Sequence, residues 1–333
     1  MTPAAAPSVG WSISCALLSA ALTLSCALLA CYLGNGQDIA LIRNALVYET
    51  RQDDSTFLSA PSAAPAGTSA QVWRDAAGSA GALDPQASDF ARALALVRHL
   101  DRPGYPRGGM LALPSLDTYR AMRDSGRGYC ADYTQVFLAL AEAAGLSARE
   151  WGISFNGYSG AGHALVEIYA RELRSWVMLD VFNGLYVSDE AHRPLSLPAL
   201  RAYLKRGEQA KLHVEVVADI MPFASPALAL HYLERGMPRA YLWTSAHSAG
   251  QPQALLDAIS RRSRAIAQLL AIATGRAPRM LLMPAPEQRP ALLELRLLRL
   301  ACITALVSSA LLCLLFWRRR RGRRLASAAV AAP

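Results

Sequence analysis

Two stretches without a single charged residue lie near the ends of the chain: residues 11–33, WSISCALLSAALTLSCALLACYL, and residues 300–317, LACITALVSSALLCLLFW. A helix rises about 1.5 Å per residue and the hydrocarbon core of a bilayer is about 30 Å thick, so roughly 20 apolar residues cross it. Both stretches qualify, the second at its short limit, and both read as transmembrane helices rather than core helices of a soluble domain. The second runs into RRRRGRR at 318–324. Arginine packed against a span marks the cytoplasmic side. Two spans then put both termini in the cytoplasm and residues 34–297 outside it, which in a bacterium means an inner-membrane protein with a periplasmic domain. A cleaved signal peptide would carry a basic start, and no Lys or Arg precedes residue 11. LLAC at 28–31 resembles a lipoprotein cleavage box only faintly. The first stretch is therefore expected to stay as an anchor.

The formal net charge is +9, but six of those charges are the arginines at 318–324. The remainder is close to balanced, so nothing points to nucleic acid as a partner. The arginine run is explained by topology.

Cysteine use is more telling. Five of the six cysteines (15, 26, 31, 302 and 313) lie in the apolar stretches, and Cys130 stands alone between them. A lone thiol has nothing to resolve a disulfide, which argues against a redox protein. His192, His213, His231 and His247 are scattered, without metal-ligand spacing. No phosphate loop or dinucleotide fingerprint is present, and no cofactor is expected.

Between the spans, 34–51 reads as a helix leaving the membrane and 53–70 as an Ala/Ser/Pro linker. Helical spacing runs through 84–100, with an Asp-Pro start. A Gly/Pro loop covers 101–110, and a short helix 115–124. YCADYTQVFLALAEAAGL (129–146) repeats apolar residues on one helical face. SAREWGIS (147–154), GHALVEIYA (162–170) and SWVMLDVFN (175–183) read as strands. After 196 the pattern turns helical, including one long helix over 252–275. Its Arg261, Arg262 and Arg264 read as the solvated face of a packed helix, with a membrane-surface role as the alternative. A helix followed by an antiparallel meander makes an α+β domain.

Cys130 opens its helix directly after GRG. Unpaired N–H groups and the helix dipole stabilise a thiolate at such a place. The glycines at 126 and 128 allow a sharp turn that leaves the sulfur reachable, and the Cys130 N–H can donate to an oxyanion. His163, at the start of the second strand, is a candidate base. Asp180, at the far end of the third, is a candidate orienting acid. A hairpin between Tyr169 and Ser175 pairs the start of one strand with the end of the next, bringing His163 near Asp180. The three close as Cys–His–Asp.

GRGYCADYTQVFLALAEAAGLSAREWGIS, GHALVEIY and SWVMLDV resemble the transglutaminase-like superfamily, a papain-like fold of transglutaminases, thiol peptidases and amidases. The resemblance covers about 115–190. That family sets Gly-x-Cys at a helix start, Gly-His-Ala on a strand and Trp-x-x-x-Asp on the next. It implies Cys130, His163 and Asp180 as catalytic residues, with Tyr129 and Trp176 as weaker substrate-binding candidates. Leu165 and Val181 stand where the family often has Trp and Pro. Both positions are expected to shape the pocket, and the departures bear on substrate preference.

The expected organisation is a cytoplasmic N-terminus (1–10), a transmembrane helix (11–33), a juxtamembrane segment and linker (34–83) and a transglutaminase-like domain (84–195). A mainly helical extension (196–297), a transmembrane helix (298–317) and a basic cytoplasmic tail (318–333) follow. The resemblance implies a membrane-anchored thiol enzyme acting on amide or peptide carbonyls through a thioester, with a protein or peptide as substrate. The alternative is a catalytically silent binding module that holds cell-envelope assembly proteins.

Overall fold

The computed structural model describes residues 9–32, 36–50, 55–61, 71–101, 115–217, 223–244, 254–283 and 285–330. Residues 102–110 of the expected loop, most of the linker expected at 53–70, and His247 lie outside these residues. The chain divides into two compact units: Met1–Leu46 with Pro290–Pro333, and Val47–Arg289.

The first unit is helical: α1 (Val9–Ala30), α2 (Gly36–Val47) and α12 (Arg289–Val330). Tyr32 donates its hydroxyl to Glu294 at 3.1 Å, and the Arg299 guanidinium donates to the Ala45 carbonyl at 2.6 Å. Leu41, Ala45, Leu295, Leu298 and Ala301 are buried, while Leu17, Leu24 and Leu306 are exposed. Ile13–Ala30 and the stretch Pro286–Gly322 are apolar enough to cross a membrane, and only 6% and 11% of their most apolar windows are buried. So little burial is the opposite of a soluble core helix. Helix α12 has 42 residues, about 63 Å at 1.5 Å per residue. It therefore extends well beyond any one hydrocarbon core.

The second unit is built on one eight-stranded sheet in the order β1-β8-β7-β2-β3-β4-β5-β6. The strands are β1 (Tyr48–Thr50), β2 (Ala148–Ser154), β3 (Gly162–Ala170), β4 (Ser175–Asp180), β5 (Leu185–Ser188), β6 (His213–Val216), β7 (Ala240–Thr244) and β8 (Arg279–Leu282). Only β1 and β8 pair in parallel. Side chains alternate along a strand, and the sheet buries both faces. Val166 and Ile168 of β3 and Val177 and Leu179 of β4 join a first core; Leu165 and Met178 join a second. That double burial explains why β3 and β4 look only loosely alternating in sequence.

The first core is closed by α4 (Gln71–Ser79), α5 (Asp89–Leu100), α6 (Ser115–Ser125) and α7 (Cys130–Ala143), through Trp73, Leu96, Met122, Tyr133 and Phe137. Helix α5 begins later than the Asp-Pro pair suggested. Ser88 is its cap, accepting from the Ala91 N–H at 3.2 Å. The second core is closed by α8 (Leu197–Lys205), α9 (Pro226–Gly236) and the short α3 (Ser55–Leu58), through Leu200, Leu230, Leu233 and Phe57.

The stretch expected as a mainly helical extension, 196–297, holds α8 to α11 and also supplies β6, β7 and β8 to the same sheet as the central meander. These strands have four, five and four residues, too short to show a period of two against the helical stretches around them. The long helix expected over 252–275 is also two helices, α10 (Ala254–Ser260) and α11 (Arg264–Ala273). Ser263 ends the first run and caps the second, accepting from the Ile266 N–H.

Candidate active site

The turn into α7 depends on glycine. Gly126 and Gly128 have φ of 65° and 143°, a region L residues rarely enter. A Cβ on Gly128 would also stand 3.2 Å from the Tyr133 ring. Asp132, in the first turn of α7, accepts from the Tyr129 backbone N–H at 2.9 Å, the backward half of a capping box. Cys130 is therefore the first helical residue, where its N–H is not needed by the helix ladder. Its side chain is half-buried, and Tyr129 beside it is exposed. Tyr133 belongs to the core, with its hydroxyl donated to the Gly126 carbonyl at 3.2 Å.

His163 is the second residue of β3 and Asp180 the last of β4. The register pairs Val166 with Leu179, which sets His163 diagonally across from Asp180, within reach of a ring. His163 Nε2 and Asp180 Oδ2 are 2.8 Å apart, and both side chains are buried. The Cys130 side chain lies close enough to His163 to help raise its pKa. With Nε2 held by the carboxylate, Nδ1 is the nitrogen left to face the sulfur. Gly162 before the histidine meets a second requirement: a Cβ there would lie 2.3 Å from the Ile153 carbonyl oxygen of the neighbouring strand.

Two further residues complete the arrangement, and neither was read from the sequence. Asn183 donates its backbone N–H to Asp180 Oδ1 at 3.0 Å and its amide to Oδ2 at 2.7 Å. Both carboxylate oxygens are thereby occupied and the acid is fixed in orientation. The DVFN spacing, with an amide three residues after an acid at a strand end, is the signal that could have found it. Tyr232 of α9 packs its ring against His163, with centroids 5.3 Å apart at 73°. Phe155 and Phe223 hold that ring in turn, and Phe182 covers His163 from another direction. No local pattern in PALALHYLERG marks Tyr232, since it falls among residues that pack α9 onto the sheet.

Electrostatics follow from these positions. Burial alone pulls the His163 pKa down. The charge and hydrogen bond of Asp180, with those of the Cys130 sulfur, outweigh it and raise the value to about 10. The imidazole is thus favoured as a cation beside Asp180 and Cys130. Tyr232 is pushed up by burial and by the nearby Asp180 and Cys130, so its phenol stays a protonated donor.

Three other expectations are placed differently. Trp176 is packed into the domain: its indole N–H donates to the Ser59 carbonyl at 2.7 Å, and the Arg149 guanidinium lies 3.8 Å over its ring. It sits at the opposite end of β4 from Asp180, in the contact with residues 55–61. Leu165 and Val181 are likewise core residues, one in each core, so their departures from the family pattern alter packing. Among the described residues, no three His, Cys, Asp or Glu side chains gather as a metal site requires.

Residues 84–181 match the model of the transglutaminase-like superfamily. This stretch is a transglutaminase-like domain, and it takes in Cys130, His163 and Asp180 while stopping short of Asn183 and Tyr232. No curated protein and no solved structure matches the chain.

Proposed function

We propose that this is a membrane-anchored thiol enzyme acting on an amide or peptide carbonyl. One observation carries the reading: buried His163 lies beside the Cys130 sulfur and is hydrogen-bonded to Asp180, whose two oxygens Asn183 holds. Cys130 Sγ attacks the carbonyl carbon as His163 Nδ1 holds the thiol proton. The Cys130 N–H donates to the oxyanion that forms. The tetrahedral intermediate collapses, the C–N bond breaks, and His163 returns its proton to the departing amine. Asp180 keeps the imidazole oriented and balances its charge throughout. The remaining thioester is resolved by water (peptidase or amidase chemistry) or by a second amine (cross-linking). Water is abundant outside a membrane, which favours hydrolysis.

The arginines at 318–324 support a cytoplasmic C-terminus, and two spans then set residues 34–297 in the periplasm of a bacterial inner membrane. The substrate is a protein or peptide reached from that side. In the rival reading, the domain is a catalytically silent module that binds cell-envelope assembly proteins.

Iodoacetamide labelling of Cys130 in the full chain, located by peptide mapping, tests the Cys130–His163 coupling. At neutral pH His163→Ala is expected to slow labelling about tenfold or more, the change that one pKa unit in the coupled pair produces. Equal rates in the two proteins would sink the enzyme reading. Complementation of a null strain by Cys130→Ala as fully as by wild type would establish the silent module instead.

A further inference from the structure

The amphipathic helices of the second unit bury their apolar stripes, with one exception. In α8, Leu197, Leu200 and Leu204 are inside; in α9, Ala229, Leu230 and Leu233 are. Helix α11 is built with the same spacing, Ile266, Leu269, Leu270 and Ala273, on one face. Yet Ile266 and Leu269 are 58% and 60% exposed, and Ala267 is the one buried residue among those of α11 whose burial is described. Leu255 of α10 is 65% exposed. Among the described residues, the domain therefore leaves Leu255, Ile266 and Leu269 exposed while half-burying Leu256, Ile259, Leu270 and Ile272.

Its charge is one-sided. From 254 to 276 the chain carries Arg261, Arg262, Arg264 and Arg276 against a single acid, Asp257. Arg261 is engaged by Asp117 of α6 at 2.9 Å, which fixes the hairpin to the helix that leads into the Cys130 turn. Arg262 is exposed and makes no ion pair among the described residues. Apolar residues flanked by cations match the headgroup region of an anionic bilayer. A second copy of the same face would set arginine against arginine. The chain itself supplies proximity: residues 274–288 alone separate α11 from α12, one of the two helices apolar enough to cross a membrane. A surface tethered by so short a chain needs little affinity of its own to stay on the bilayer.

We propose that the α10–α11 hairpin is an interfacial membrane-contact element. Its Ile266–Leu269 stripe lies at the headgroup–acyl boundary of anionic lipid, and Arg262 meets lipid phosphate. The proposal rests on reading α1 and α12 as spans, and goes beyond it by giving the extramembrane domain its own contact with lipid.

The test places a benzoylphenylalanine photo-crosslinker at Leu269, Leu306 or Leu173, one at a time, in the full chain. The protein is reconstituted in nanodiscs of phosphatidylcholine alone or mixed with phosphatidylglycerol, and adducts are read by mass spectrometry. Leu306 is 73% exposed on α12 and Leu173 is 42% exposed in the β3–β4 turn. Lipid adducts are expected at 306 and 269 and not at 173. The yield at 269 should rise with phosphatidylglycerol and fall about fivefold with Arg262→Gln, the effect of one cation near an anionic surface. Lipid adducts at 306 without any at 269, or protein adducts at 269, would overturn the hairpin proposal alone. Absence of lipid adducts at both 306 and 269 would overturn the anchoring reading with it. A yield at 269 indifferent to phosphatidylglycerol and to Arg262→Gln would remove anionic lipid as the occupant.

Discussion

The two faces of the sheet bury comparable apolar clusters but treat charge differently. The face under α4–α7 is filled by Leu96, Phe137, Leu140, Val166, Ile168 and their neighbours. The other face adds a buried carboxylate, Glu167, fully inaccessible and surrounded by donors. It accepts from Arg149 at 2.7 Å, from the Trp151 indole at 2.5 Å and from the Leu197 backbone at 2.6 Å. His163 and Asp180 share strand parity with Leu165 and Met178, and so belong to this second face. A buried charge persists only where partners replace water; among the strand residues both such groups lie on the second face, while on the first face the buried carboxylates, Asp89, Asp132 and Glu142, stand on the covering helices. The first face supplies the site with a helix start and a thiol, and the carboxylate that fixes them, Asp132, belongs to the helix and not to the sheet.

Substitutions can break this contrast. The largest effect is expected from Arg149→Met, which leaves Glu167 without its cation; about 3–5 kcal/mol should be lost. Ile168→Val on the apolar face should cost only about 0.5–1.5 kcal/mol. Denaturant unfolding of the full chain in detergent compares them, and similar losses would mean that the faces do not differ as described. Adding Glu167→Leu to Arg149→Met should recover much of the first loss.

Asp180→Asn probes the same face through pH. The folded pKa of His163 is raised, so the stability contributed by its charged form is complete below the unfolded value of about 6.5. It is lost as pH climbs through about 10. The gap in Tm between wild type and Asp180→Asn should therefore be widest near neutral and slightly acid pH, and narrow as pH approaches that value. A constant gap would show that the ion pair is not its source.

Tyr232 separates packing from chemistry at the His163 side. Tyr232→Ala opens the ring contact and should slow Cys130 alkylation at neutral pH several-fold. Tyr232→Phe keeps the ring and should restore the rate if covering the imidazole is what matters. A Phe variant as slow as the Ala variant would assign the role to the phenol instead. The smallest effect is expected from Arg261→Ala, which removes an exposed pair with Asp117; about 0–1 kcal/mol should be lost.

What could be read from the sequence followed how local each signal was. Cys130 is announced by two glycines before a helix, His163 by a glycine before a strand, and Asp180 by being the lone acid of an apolar strand. Each signal lies within a few residues, and the Tyr169–Ser175 hairpin relates the last two by simple register. Tyr232 is more than 50 residues beyond Asp180 and reaches His163 only because α9 folds over the second core, a relation no periodicity encodes. Strands β7 and β8 pair with each other across α10 and α11, so neither showed the close hairpin spacing that marked β3 and β4. The outward face of α11 was equally hidden, because a 3.6-residue period reports that a helix has an apolar side and not what that side meets.

The residues ahead of the family match have a consequence for anyone isolating this domain. Phe57 is completely buried, with its ring 5.5 Å from Trp151, and Arg149 and Trp176 donate to the Phe57 and Ser59 carbonyls. Strand β7 covers the outer edge of β2. A fragment trimmed to 84–181 would thus leave a phenylalanine-sized hole beneath Trp151 and expose the unpaired N–H and C=O groups of β2, an invitation to edge-to-edge aggregation. In this chain the transglutaminase-like domain is not a detachable cassette, and soluble versions should begin before residue 55 and continue through β8.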